Sequence, residues 1–205
     1  MTLELPGLAE PEGKPRYRGL ESRYLGFLSA FGKDEEAMAK MKVAIIMGSD
    51  SDLPVMEPAI KTLAEFGIGS EVVVASAHRT PDKVHNFVAS AAEQGFSAII
   101  AAAGAAAHLP GVVASFTVLP VIGVPVNSTS LGGLDALLSI VQMPSGVPVA
   151  TMAINGAKNA AIFAAQIIAT GNLEMAKRLS DYRQKMAAEV EAKAAKVEKS
   201  LKSIV

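Results

Sequence analysis

Residues 42–52 read KVAIIMGSDSD, and this stretch decides the fold. An apolar run of strand length, 43–47, stops at Gly48 and gives way to Ser49, Asp50, Ser51 and Asp52, the residue types of a turn and a helix start. The same grammar recurs along the chain. Further strand-length apolar runs lie at 72–75, 98–102, 121–124 and 147–152, and helix-like stretches at 52–66, 81–94, 109–117, 132–141 and 156–170. Short, nearly continuous apolar strands alternating with helices predict a parallel sheet covered on both faces. The expected fold is an α/β three-layer domain of flavodoxin-like or Rossmann-like type. The spacing is too irregular for a tandem repeat array.

Toward the C-terminus, 172–203 reads as one long helix. Leu179, Tyr182, Met186, Val190, Val197, Leu201 and Ile204 form an apolar stripe, with Lys, Arg and Glu on the other faces. Such a stripe is expected to pack on a neighbouring subunit as well as its own, with the last turn or two frayed. Toward the N-terminus the composition changes near residue 41. Residues 1–40 carry Tyr17, Tyr24, Phe27 and Phe31 among much Pro, Gly and charge. Met41 reads as the start of a self-contained domain, and 1–40 as an appended segment, natural or engineered. Within it Leu20, Tyr24, Phe27, Leu28 and Phe31 recur at helical spacing, so 19–31 is expected to be an amphipathic helix. That helix is either a packing arm on the domain's own surface or a docking helix for another chain. The expected division is 1–40, an α/β catalytic domain over 41–171, and a C-terminal helix over 172–205.

The chain has 205 residues, enough for one domain plus an extension with a proper core. Half of it is hydrophobic, 19% is charged and the net charge is -1, so no charge imbalance points to nucleic acid or an anionic membrane. Cysteine is absent, which excludes a disulfide framework, a cysteine nucleophile and a Cys-type zinc site. His78, His85 and His108 alone are too few for a His-rich metal site. No uninterrupted apolar run reaches the roughly 18 residues of a spanning helix. The opening residues lack the basic-then-apolar layout of a secretory signal. A soluble, cytoplasmic protein is expected.

In open α/β sheets, ligands bind beyond the carboxyl ends of the strands. After the first strand, Gly48 permits a tight turn, and the hydroxyls of Ser49 and Ser51 suit a phosphate, although Ser and Asp are also ordinary helix caps. The spacing is neither a phosphate-binding Walker loop, whose lysine is missing, nor a dinucleotide fingerprint. After the second strand comes Ser76-Ala77-His78-Arg79-Thr80-Pro81. Here a histidine able to exchange a proton near neutral pH stands beside an arginine able to grip phosphate. Pro81 is placed to open the next helix, with Thr80 as its cap. After the third strand, the small residues from Ala103 to Ala107 let a substrate approach the backbone, and His108 either positions substrate or caps and packs the loop. His85 falls inside a predicted helix and is read as an ordinary surface or core residue. Residues 125–146 form a Gly- and Ser-bearing region, either a mobile cover or a subunit contact.

The ordered set GSDSD (48–52), SAHRTP (76–81), AGAAAHLPG (103–111), PVIGVPV (120–126), LDALLSIVQMPSGVPVATMAI (134–154) and GAKNAA (156–161) closely resembles the 5-(carboxyamino)imidazole ribonucleotide mutase family. The resemblance spans about 42–183. It implies a flavodoxin-like α/β/α sandwich, a homo-octamer with sites between subunits, and no metal, ATP or organic cofactor. By position, Ser49 and Arg79 match phosphate-binding residues, with Ser51 close by. Asp52 matches the holder of the ribose hydroxyls and His78 the general acid–base. Gly104, Ala106 and His108 match the loop lining base and carboxylate, and Ser76, Ala77 and Leu109 complete the substrate-binding set. The implied reaction moves a carboxylate from the exocyclic amine to ring carbon 4 of aminoimidazole ribonucleotide.

Two departures stand out. Ala102 and Ala105 occupy positions where many members carry glycine, and alanine is unwelcome wherever the backbone needs positive φ. Two rival readings remain. A direct carboxylase using free carbon dioxide shares the resemblance, but that branch usually has lysine after the active histidine and a different third loop, so Arg79 and AAHLPG favour the mutase. A non-catalytic octameric scaffold is the other, against which the joint presence of Ser49, Asp52, His78 and Arg79 argues.

Overall fold

Strand β1 (Lys42–Met47) is buried from Val43 onward, as a central parallel strand with helices on both faces must be. The structure is a computed structural model and describes residues 41–202. β1 lies between β2 (Gly69–Val74) and β3 (Phe96–Gly104), followed outward by β4 (Val121–Val126) and β5 (Ala150–Thr151). The order is β2-β1-β3-β4-β5 and every pairing is parallel. This is the flavodoxin-like order, in which the chain reverses direction of travel between β1 and β3. Met47 pairs with both Val74 and Ala102, so β1 and β2 finish level at one rim of the sheet while β3 runs two residues further, to Gly104, where it finishes level with β4 at Val126.

The helices are α1 (Leu53–Glu65), α2 (Pro81–Ala89), α3 (Leu109–Ser115), α4 (Leu134–Val141), α5 (Ala157–Ala169) and α6 (Leu173–Lys202). Successive strand residues point to opposite faces. Ala44 and Ile46 join Val84 and Val88 of α2, Val113 of α3 and Ala136 and Ile140 of α4 in one core cluster. The other face is covered by α1 and α5, which pack together through Met56, Ala59 and Leu63 on one helix and Ala160, Ala161, Ala164 and Ala165 on the other. Alanine brings the two backbones close. Burying each large side chain of this core, such as Ile45 or Ile100, is worth about 1.5–3 kcal/mol. At the start of α6, Met175 is buried, and Arg178 donates to the Phe66 carbonyl at the end of α1 over 2.6 Å while pairing with Glu174.

Several elements are shorter than their sequence predicts, three of them for visible reasons. The helix expected over 81–94 ends at Ala89, where Ser90 Oγ turns back onto the Asn86 and Phe87 carbonyls and Gly95 takes φ +80°. α4 begins at Leu134 rather than 132, because Gly132 and Gly133 both hold positive φ. The strand expected over 147–152 shrinks to two residues, since Pro148 has no N–H for the ladder. The α/β unit ends at Leu179 and α6 continues from Ser180 into a second unit. There Met186, Val190, Val197 and Leu201 are exposed. The expected helix over 19–31 and Ile204 of the apolar stripe lie outside the described residues.

Candidate active site

A cleft of about 370 Å³ opens at the rim where β1, β2 and β3 finish, at the β1/β3 reversal. Its size suits a small-molecule ligand. Ser49 forms the first wall. It opens a one-turn 3₁₀ helix (Asp50–Asp52) with a reciprocal cap: the Ser51 N–H donates to Ser49 Oγ (3.3 Å), and the Ser49 N–H donates to Asp52 Oδ2 (3.2 Å). The Ser51 hydroxyl also donates to Ser49 Oγ over 2.9 Å, so two hydroxyls are held side by side. Asp52 is 5% exposed. Burial pushes its carboxyl above the ordinary value of 3.8, partly offset by the Ser49 N–H, while neighbouring Asp50 raises it and Arg79 lowers it.

The second wall follows β2. Thr80 stands at the cap position of α2, as its place before Pro81 predicts, but its hydroxyl does not cap that helix. Instead it accepts from the Ser76 N–H at 2.9 Å and donates to the Ser76 carbonyl at 3.2 Å, closing the 76–80 turn on itself. This turn lifts His78 and Arg79 out over the rim. Arg79 Nη2 donates to the Gly48 carbonyl at 2.9 Å, which draws the guanidinium to the serine wall. His78 swings the other way: its Nε2 lies 2.9 Å from Nδ1 of His108 on the loop after β3. His108 occupies the cap position of α3 without capping it, so its ring serves His78.

The third wall is the end of β3. Gly104 and Ala106 line the cleft, as does the buried Leu109. Ala105 adopts φ +53°, the left-handed conformation that the glycine comparison flagged, whereas Ala102 lies within the strand. Of the residues expected at the site, Ser49, Ser51, Asp52, Ser76, Ala77, His78, Arg79, Gly104, Ala106 and Leu109 all line this cleft, and His108 reaches it through His78. The sequence reading missed Ser128, which follows β4 and lines the cleft against Gly104. Its place after a strand was the available signal. His85 lies away from the cleft, exposed on α2 and edge-on to Phe116. Among the described residues, no group of three His, Cys, Asp or Glu side chains is arranged to hold a metal.

Residues 42–189 match the AIR carboxylase family. The chain belongs to that family. It is 57% identical over 157 residues to the N5-carboxyaminoimidazole ribonucleotide mutase of Thermotoga maritima, covering 77% of this chain and 92% of that one. It is also 52% identical over 165 residues to the phosphoribosylaminoimidazole carboxylase of Saccharomyces cerevisiae, covering 80% of this chain but 29% of that longer protein. Among solved structures, Treponema denticola PurE superposes with a TM-score of 0.65 at 29% identity, covering 76% of this chain and 97% of that one. A variant of Treponema denticola PurE2 gives a TM-score of 0.71 at 30% identity, over 77% and 98% of the two chains. Both neighbours thus share this chain's α/β fold.

Proposed function

We propose that this AIR carboxylase family member is an isomerase of purine biosynthesis that converts 5-(carboxyamino)imidazole ribonucleotide to 4-carboxy-5-aminoimidazole ribonucleotide. The observation that carries the reading is the position of His78. Its imidazole stands in a cleft with paired hydroxyls and a guanidinium at one end, and is held at the other end by His108.

The substrate phosphate takes Ser49, Ser51 and Arg79, where hydroxyl donors and a cation converge. Asp52, buried and oriented by the Ser49 N–H, accepts from the ribose hydroxyls. Protonated His78 gives its proton to the exocyclic carbamate nitrogen. The nitrogen–carboxyl bond breaks, its electrons remain on nitrogen, and carbon dioxide is released beside bound aminoimidazole ribonucleotide. Ring carbon 4 then attacks the carbon dioxide, forming the new carbon–carbon bond. His78 removes the proton from carbon 4, which restores ring aromaticity and returns the imidazole to its starting state. Holding the gas against carbon 4 makes recombination effectively intramolecular. Ala77, Gly104, Ala106 and Leu109 supply small, apolar wall residues against which the gas can be held.

The same reading gives a cofactor-free, cytoplasmic homo-octamer whose sites lie between subunits, with 1–40 as an add-on to the catalytic domain over 41–171 and the helix over 172–205 packing on a neighbour. Among the described residues, no helix is long and apolar enough to cross a membrane. The second reading, direct carboxylation, draws on the likeness to the yeast carboxylase. An ultraviolet assay separates the two. Fast conversion of the carbamate nucleotide without ATP or metal is expected; equal or faster product formation from aminoimidazole ribonucleotide and bicarbonate would move the chain to the carboxylase branch.

A further inference from the structure

The polar side chains that line the cleft are nearly all engaged within the protein. Ser49 and Ser51 bond to one another, Asp52 accepts from the Ser49 N–H, Ser76 Oγ accepts from the Arg79 N–H, Arg79 donates to Gly48, and His78 pairs with His108. Ser128 is the exception: its hydroxyl has no hydrogen-bond partner among the described residues, although it lines the cleft. Its position is also built. Gly104 pairs with Val126, and a Cβ on Gly104 would stand 2.8 Å from Ser128 Cβ and 3.1 Å from the Val126 carbonyl, closer still to the hydroxyl. The glycine therefore exists where Ser128 needs the space, and the hydroxyl is pressed onto the end of β3.

Sheet order says which part of the ligand it meets. The serine and arginine wall belongs to β2 and β1, whereas Ser128 follows β4, two strand spacings or about 10 Å from β1. With the phosphate at the first wall, the far wall receives the ring and its carboxylate. His78, drawn toward His108 over the end of β3, lies on that side as well. A carboxylate arriving there needs a donor, and a hydroxyl with no internal partner supplies one without breaking an existing bond.

We infer that Ser128 is a substrate-contact residue whose hydroxyl donates to the migrating carboxylate on the ring side of the cleft. The inference rests on the mutase reading of the site, so its test uses two nucleotides that differ only in the carboxylate. Calorimetric titration of the full-length protein and of Ser128→Ala is made with 4-carboxy-5-aminoimidazole ribonucleotide and with 5-aminoimidazole ribonucleotide. A hydrogen bond to a charged group is worth about tenfold or more in Kd. The variant is expected to lose that factor for the carboxylated nucleotide alone, and to keep its melting temperature because no internal hydrogen bond is removed. Equal weakening of both ligands, or no weakening of either, would overturn the contact. If the unaltered protein bound neither nucleotide, the mutase reading would fail first and the inference with it.

Discussion

Nε2 of His78 and Nδ1 of His108 lie 2.9 Å apart, with the two rings crossed at 81°. A hydrogen bond between two imidazole nitrogens requires one to carry the hydrogen and the other to be bare. Under the proposed reaction, His108 thereby sets which His78 nitrogen faces the substrate, as a bond to one ring nitrogen generally determines the state of the other. His78→Asn should lower kcat by about 10²–10⁴-fold, the usual worth of a general acid–base, with nucleotide affinity nearly unchanged. Loss of binding in step with turnover would refute an acid–base role.

His108→Ala leaves the proton carrier in place and removes only its orienting partner. The expected loss is about tenfold in kcat, the scale of one hydrogen bond, with little change in KM. Steady-state kinetics measures both. An unchanged kcat would mean that His108 packs the loop and does nothing for His78.

Asp52 predicts an opposition between stability and binding. Its folded pKa is raised chiefly by burial, so the folded state holds its proton to higher pH than the unfolded chain does. Ionised Asp52 consequently destabilises the fold, by an amount that is absent below the ordinary value of 3.8 and grows as pH rises through the raised one. Asp52→Asn keeps an oxygen for the Ser49 N–H and removes the buried charge. Urea melts should show a variant more stable than the parent at neutral pH, with the gap closing toward acid, while calorimetry shows weaker nucleotide binding. A gap that widened toward acid would reverse the assignment.

Much of this site follows from local sequence. The end of β1 is visible because Gly48 interrupts an apolar run, and the turn at Ser76–Pro81 announces itself through Thr80 and Pro81. What local pattern misses is register. His78 and His108 are 30 residues apart, and their pairing depends on where β2 and β3 finish on either side of β1. Ser128 reaches the cleft because Val126 pairs with Gly104, a relationship that no spacing within 120–130 encodes. The shortness of β5 has a local cause, Pro148, which its apolar neighbours conceal.

Ala102 and Ala105 look alike in sequence and differ in the fold. Ala105 sits at φ +53°, which costs an L-residue about 1–2 kcal/mol, part of which glycine returns through greater unfolded-state freedom. Ala102 is fully buried within β3. Ala105→Gly should raise the urea midpoint slightly or hold it, and Ala102→Gly should lower it, for a stability loss of about 0.5–1 kcal/mol, the cost of glycine inside a regular element. Equal shifts of the same sign would mean that backbone conformation at 105 is not what separates them.

The region 125–146, read from sequence as either a mobile cover or a subunit contact, contains α4, whose two faces differ. Ala136 and Ile140 are fully buried, while Leu134, Leu138 and Val141, spaced along the opposite side, are 52%, 48% and 47% exposed, with Leu131 before them at 64%. An apolar stripe on the outer face of a helix is the kind of surface an interface uses, and the proposed octamer gives it a partner. Because Leu138 is already half exposed in a single chain, Leu138→Lys costs the subunit's own fold little and places a charge in the contact. Sedimentation equilibrium should show the parent protein at eight times the subunit mass and the variant at a smaller mass. If the site is completed by a neighbour, turnover must fall in proportion to the lost octamer. An intact octamer in the variant would remove α4 from the interface.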